Sequence, residues 1–157
     1  MKNDGFSLVE VMVAMVIVGV ALMGTLGALE VSSRHVQQGG LNSKAMELAQ
    51  ARLEAKRSVR WQSLLEDDLD RDGTPETLMV DDGQGSDRAA GDGIYTAMYE
   101  RDGVTVVWTI EAERPGSLYS TAMVMIRAVA SYSGLNGHKR EVKVATIRAN
   151  PNFVGQR

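Results

Sequence analysis

Residues 6–29 read FSLVEVMVAMVIVGVALMGTLGAL, almost wholly apolar apart from one acid, Glu10. About 20 apolar residues suffice to cross a hydrocarbon core of roughly 30 Å. Three readings of the segment compete. A secretory signal peptide has a basic start, a shorter apolar run and small residues at a cleavage site beyond it. Ala28 offers such a residue, but the run is too long. A plain membrane anchor explains the length and leaves Glu10 unexplained, because an acid in a membrane helix costs a few kcal/mol unless it is interfacial or paired. The third reading takes Lys2, Gly5, Phe6 and Glu10 as one pattern.

In GFSLVE a glycine is followed by phenylalanine, and a glutamate stands fifth counting from that phenylalanine. This resembles the class III signal of type IV prepilins and of type II secretion pseudopilins. The resemblance implies a short cytoplasmic leader, residues 1–5, cut after Gly5 by a prepilin peptidase. Phe6 then becomes the N-methylated amino terminus and Glu10 the fifth residue of the mature chain. Asp4 departs from the pattern, since bases are commoner in the leader. Acids count little toward orientation, so Lys2 still holds the leader in the cytoplasm.

Glu10 then has a physical use. Cleavage exposes a positive amine at Phe6. When apolar helices pack side by side with an axial stagger, a carboxylate four residues further on meets the amine of a neighbouring subunit. Pairing offsets the cost of desolvating both charges and penalises wrong registers. Val9, Val13, Ile17, Val20, Leu22 and Leu26 help cover all faces of the helix, which suits lipid first and other helices later. Gly19, Gly24, Gly27 and Ala28 allow close helix approach, or weaken the helix by about 1 kcal/mol per glycine. Many members of the family carry a proline here; this chain has none before Pro75.

After Leu29 the pattern becomes amphipathic. Leu41, Ala45, Leu48, Ala49, Leu53, Ala55 and Val59 recur at helical spacing, with Arg52 a polar exception in the stripe. Glu30, Arg34, Lys44, Glu47, Glu54 and Lys56 fit a solvated face. One helix is predicted from about Phe6 to Val59, loosened at Gly39-Gly40 and roughly 80 Å long at 1.5 Å per residue. Residues 61–93 are predicted to link helix and sheet. Trp61 is expected to plug the junction between helix and sheet. Strands are expected over 93–99, 104–112, 122–132 and 141–149, with a hairpin signal at Arg101-Asp102-Gly103 and a loop containing Asn136-Gly137. Trp108 is expected in the core or on the sheet surface. The architecture expected is α+β: a long N-terminal helix, apolar in residues 6–29 and amphipathic in 30–60, packed on a four-stranded antiparallel sheet formed by 94–157. This is similar to the type IV pilin fold. Leu48-Ala49-Gln50 with Leu53-Glu54, and the late runs GVTVVWTIE, AMVMIRAVASYSG and KREVKVATIRA, resemble PilV-type minor pilins and the related pseudopilin I group.

Charge is distributed unevenly. From Glu66 to Asp102 the chain has twelve acids and three bases, against a formal net charge of −3 overall. Nothing in that balance favours nucleic-acid binding. There are no cysteines and only two histidines, far apart, so thiolate metal sites and disulfides are excluded and no catalytic constellation is present. An enzyme is not expected. Asp68-Leu69-Asp70-Arg71-Asp72-Gly73 gives D-x-D-x-D-G, an opening that can wrap a hard cation. The twelfth position, where an EF-hand places glutamate, is Met79, so the loop is not an EF-hand. Candidate calcium ligands are Asp68, Asp70, Asp72, Glu76, Asp81 and Asp82; the alternative is an acidic solvated turn.

The resemblance implies a minor pilin: a non-enzymatic subunit of a type IV pilus, in its priming or tip complex. Its partners would be the prepilin peptidase, other minor pilins, the major pilin and the inner-membrane assembly platform. It would sit in the bacterial inner membrane by a single span, its globular domain outside the cytoplasm, and then in a pilus at the cell surface. The alternatives are a type II secretion minor pseudopilin and, from another class, a single-span membrane-anchored binding module.

Overall fold

The computed structural model describes residues 7–70, 72–113, 118–135 and 137–153. They fall into two compact units, one ending at Gly40 and one beginning at Leu41. Helix α1 spans Leu8–Ser58 and is continuous through Gly39-Gly40, where loosening was expected. In the first unit its side chains are exposed: Leu8 by 76 %, Met15 by 72 % and Met23 by 76 %. By length and composition this helix can cross a membrane.

In the second unit, Ala45, Leu48, Ala49 and Leu53 form the apolar stripe that packs on the sheet. The sheet is a meander of β3 (Ile94–Arg101), β4 (Val104–Ala112), β5 (Met123–Ser133) and β6 (Lys139–Ala149), antiparallel and in chain order. The β3–β4 hairpin turns at Asp102 (φ 54°) and Gly103 (φ 73°). Two positive φ angles in a row define the turn that matches strand twist, and Asp-Gly is a sequence that tolerates it. The β5–β6 loop closes by Gly134 N–H to His138 O (2.9 Å) and Gly137 N–H to Gly134 O (2.9 Å).

Strand alternation sends Val104, Val106, Trp108 and Ile110 to the helix side, beside Tyr132, Ala130, Ala128 and Ile126 of β5. Trp108 fits there because its partners on both neighbouring strands are small, Ala97 and Ala128. Its indole ring meets Tyr99 edge-on, with centroids 5.7 Å apart.

The segment between helix and sheet is more structured than a linker. Trp61–Ser63 forms one 3₁₀ turn, and β1 (Glu66–Asp67) pairs with β2 (Thr77–Leu78). Val80 then bridges to Thr96 on β3. Trp61, Leu64 and Met79 from this segment are buried in the core. Trp61 donates its indole N–H to Leu118 O at 3.2 Å, and the Arg148 guanidinium lies 5.5 Å from its ring centroid.

Candidate functional site

Gly5 and Phe6 lie outside the described residues. Glu10 does not: it sits in the first turn of α1, just after Ser7, whose carbonyl accepts the Val11 N–H at 3.2 Å. A carboxylate there complements the positive end of the helix dipole. Ser7-Leu8-Val9-Glu10 also has the S-x-x-E spacing of a helix start, a signal the sequence reading passed over. Glu10 is exposed and lines a shallow groove with Val11, Ala14, Met15, Val18 and Leu22. The groove wall is apolar, so a charge brought against it has Glu10 as its polar partner.

The acidic loop divides into two groups. Carboxylate oxygens of Asp68, Asp70, Asp72 and Glu76 lie within 4.8 Å of one another. Backbone amides hold them: Asp68 accepts from Asp72 N (3.1 Å) and Gly73 N (2.8 Å), and Asp70 accepts from Asp72 N (3.0 Å). The amide of Asp72 pulls the Asp70 pKa down, but desolvation and the neighbouring Glu76 and Asp72 carboxyls outweigh it, so the net direction is upward. An all-oxygen set with φ +94° at Gly73 fits the donor chemistry of a hard cation.

Asp81 and Asp82 are not brought to this group. Asp81 accepts the amides of Gly91 (2.6 Å), Asp92 (3.2 Å) and Gly93 (2.9 Å), and its carboxylate gathers with those of Asp87 and Asp92. Asp82 accepts Gln84 N at 2.9 Å. The physical reason is the Val80–Thr96 bridge, which pins the chain to β3 just before Asp81. Asp87 is buried and accepts Gly83 N at 2.7 Å; that amide and those of Arg88, Asp82 and Ala89 hold its pKa below the usual aspartate value despite desolvation.

A third polar group was misread from sequence. Lys56, placed on the solvated face, is 1 % exposed and pairs with Asp67 at 2.7 Å. Its ammonium also donates to Leu64 O (2.8 Å) and Glu66 O (2.9 Å), and Trp108 Nε1–H donates to Asp67 Oδ2 (2.8 Å). Burial pushes the Lys56 pKa down against the pull of Asp67. Next to it, Arg52 lies over the rings of Tyr99 (5.3 Å) and Trp108 (5.9 Å), with its Nε and Nη1 unpartnered among the described residues. This cluster ties helix, loop and sheet together as a structural lock.

The model of the prokaryotic N-terminal methylation motif matches residues 1–26. No curated protein and no solved structure matches the chain. The motif implies processing by a prepilin peptidase and assembly with other pilins, and the apolar helix agrees with a membrane-anchored precursor. Joined to a long N-terminal helix whose second half packs on a four-stranded antiparallel meander, a fold consistent with that of type IV pilins, the motif supports a precursor of the type IV pilin and pseudopilin class.

Proposed function

We propose that the chain is a minor pilin, a structural subunit of the priming or tip complex of a type IV pilus. The observation that carries the proposal is the methylation motif running into a helix whose apolar half is exposed on all sides. Such a surface needs lipid before assembly and other helices after it. In this reading the peptidase cuts after Gly5, Phe6 is N-methylated, and Glu10 pairs with the new amine of a neighbouring subunit. The assembly platform of the inner membrane extracts the subunit, and the second unit stands outside the cytoplasm. The minor and PilV-type assignment is supported by LAQ…LE in α1 and by the sequences of the late strands. The calcium role of the loop stays a proposal, narrowed to Asp68, Asp70, Asp72 and Glu76, the carboxylates that converge.

Mass spectrometry of the mature amino terminus tests the class. N-methylated Phe6 is expected, and an intact Met1 refutes it. Gly5 replaced by a bulky residue should leave unprocessed precursor in the membrane. Co-purification with other minor pilins separates the minor-pilin reading from a pseudopilin of type II secretion, whose partners are a different set.

A further inference from the structure

The sheet face turned away from α1 holds a cleft of about 490 Å³. Strand alternation sends Val106 and Trp108 toward the helix and leaves Val107 and Thr109 on this side, beside Val129 and Arg127 of β5. These residues and Ser131 make a floor that is part apolar and part hydroxyl. The loop before β3 stands over one side of it with Asp87 and Asp92, and the side chains of Lys139, Glu141 and Lys143 bound it on the β6 side. The two sides carry opposite charge. Among the described residues Asp87 and Asp92 form no ion pair, and the exposed Arg88 is the one base of the loop that lines the cleft. Opposite them, Lys139 and Lys143 share Glu141 at 3.4 and 3.0 Å, and Arg127 reaches Glu111 only at 3.5 Å, so positive charge is left over. The loop is built in advance. Val80 pins it to Thr96, Asp81 accepts the amides of Gly91 and Gly93, and Asp87 accepts that of Gly83 at 2.7 Å.

A cleft acidic on one side and basic on the other favours an occupant with the reverse polarity. We infer that it binds a short peptide with free ends, the ammonium toward Asp92 and Asp87 and the carboxylate toward Arg127, Lys139 and Lys143. Size agrees, since small-molecule sites run from about 300 to 1,000 Å³. Three strand spacings, about 14 Å, separate β3 from β6, and side chains reach inward from both sides. About three extended residues, at about 3.3–3.6 Å each, fill the gap that is left. The ends must carry the recognition, because β4 and β5 are paired on both edges and offer the ligand no free strand edge. Val107 and Val129 suit small apolar side chains, and the hydroxyls of Thr109 and Ser131 can serve the peptide groups. No aromatic ring lines the cleft, so a nucleobase finds no stacking platform. A preformed loop lowers the ordering cost of binding. The site lies on the far side of the sheet from α1, so it can fill without undocking the helix, and it does not depend on the filament reading above.

Titration calorimetry of the full-length chain with trialanine tests this, in a non-ionic detergent because a zwitterionic one would compete. Saturable binding is expected, weakened several-fold when the peptide is acetylated at its amino end or amidated at its carboxyl end. Asp92→Asn and Lys143→Gln should each weaken the free peptide several-fold. Lys143→Gln and amidation remove the same contact, so their effects should not add. Fluorescence of Trp61 and Trp108, both buried in the core, checks that the variants are folded. The blocked peptides need only the wild-type chain, so an unfolded variant does not remove the test. No binding at millimolar trialanine, equal binding of a peptide blocked at both ends, or folded variants with wild-type affinity would each overturn the inference.

Discussion

Lys56→Met should be among the most damaging single changes in the second unit. The ammonium is 1 % exposed and satisfies three oxygens: Asp67 Oδ2 at 2.7 Å, Leu64 O at 2.8 Å and Glu66 O at 2.9 Å. Removing it leaves the Asp67 carboxylate 3 % exposed, with the Trp108 indole N–H as its remaining partner. Breaking one half of a buried pair costs about 3–5 kcal/mol. The total stability of a domain is only about 5–15 kcal/mol, so the loss is a large share. The double change Lys56→Met with Asp67→Leu removes the unpaired buried charge and should be less damaging than the single change, although Leu64 O, Glu66 O and the Trp108 indole N–H lose these partners. Denaturant unfolding of the full-length chain in detergent micelles, followed by fluorescence of Trp61 and Trp108, reads both variants. Both tryptophans are in the core, so the signal reports the second unit. A loss below about 1 kcal/mol for Lys56→Met, or a double variant no better than the single one, would refute the reasoning.

Glu10→Ala should leave cleavage after Gly5 intact and lower the amount of the subunit recovered in sheared filaments; full recovery removes the pairing argument. Gly83→Ala forces a Cβ to within 2.7 Å of Ala90 N at φ +69°, so the loop should open at a cost of about 1–3 kcal/mol, seen as lost amide-exchange protection around Asp87. Asp87 has a depressed folded pKa, so its contribution is present above the ordinary aspartate pKa and is lost as pH falls through the lower folded value. Protection of Gly83 N–H should therefore persist near neutrality and fade only in acid, while Asp87→Asn should weaken it already at neutral pH. Millimolar calcium should raise the melting temperature of the wild-type chain and not that of Asp68→Asn/Asp70→Asn; no shift in the wild type leaves the loop a hydrogen-bonded acidic turn.

Much of the fold was legible because it rests on local periodicity. The amphipathic stripe located Ala45 through Leu53, and the Arg101-Asp102-Gly103 signal located the β3–β4 turn, with Arg101 itself still in the strand. What could not be read depends on partners distant in sequence. Lys56 looks solvated by helical spacing, because its counter-charge lies eleven residues on in a segment without periodicity. Arg52 stood out as an exception in the stripe; its environment, two aromatic rings from β3 and β4, is a tertiary fact. Met79, which in the sequence only marks the place where an EF-hand has its glutamate, is core: its amide pairs with Leu65 O (2.8 Å) and its side chain is buried. For the loop, D-x-D-x-D-G identified the first acidic group, but composition alone could not show that Val80 divides it from the second. The N-terminal motif was readable in full because it is written for an enzyme that reads sequence.

Strand order in the sheet equals chain order, and every pairing joins immediate neighbours. Short closures of this kind have low contact order and form quickly. The bonds that fix α1 to the sheet are of another kind: Arg148 reaches Lys56 O across 92 residues, and Tyr132 reaches Asn42 across 90. The meander can therefore be complete while the helix face from Ala45 to Leu53 is still uncovered, and docking of that face becomes the late event. Folding of the second unit then amounts to closing a finished sheet onto the amphipathic helix face, and the Lys56–Asp67 pair is the catch that engages at the end.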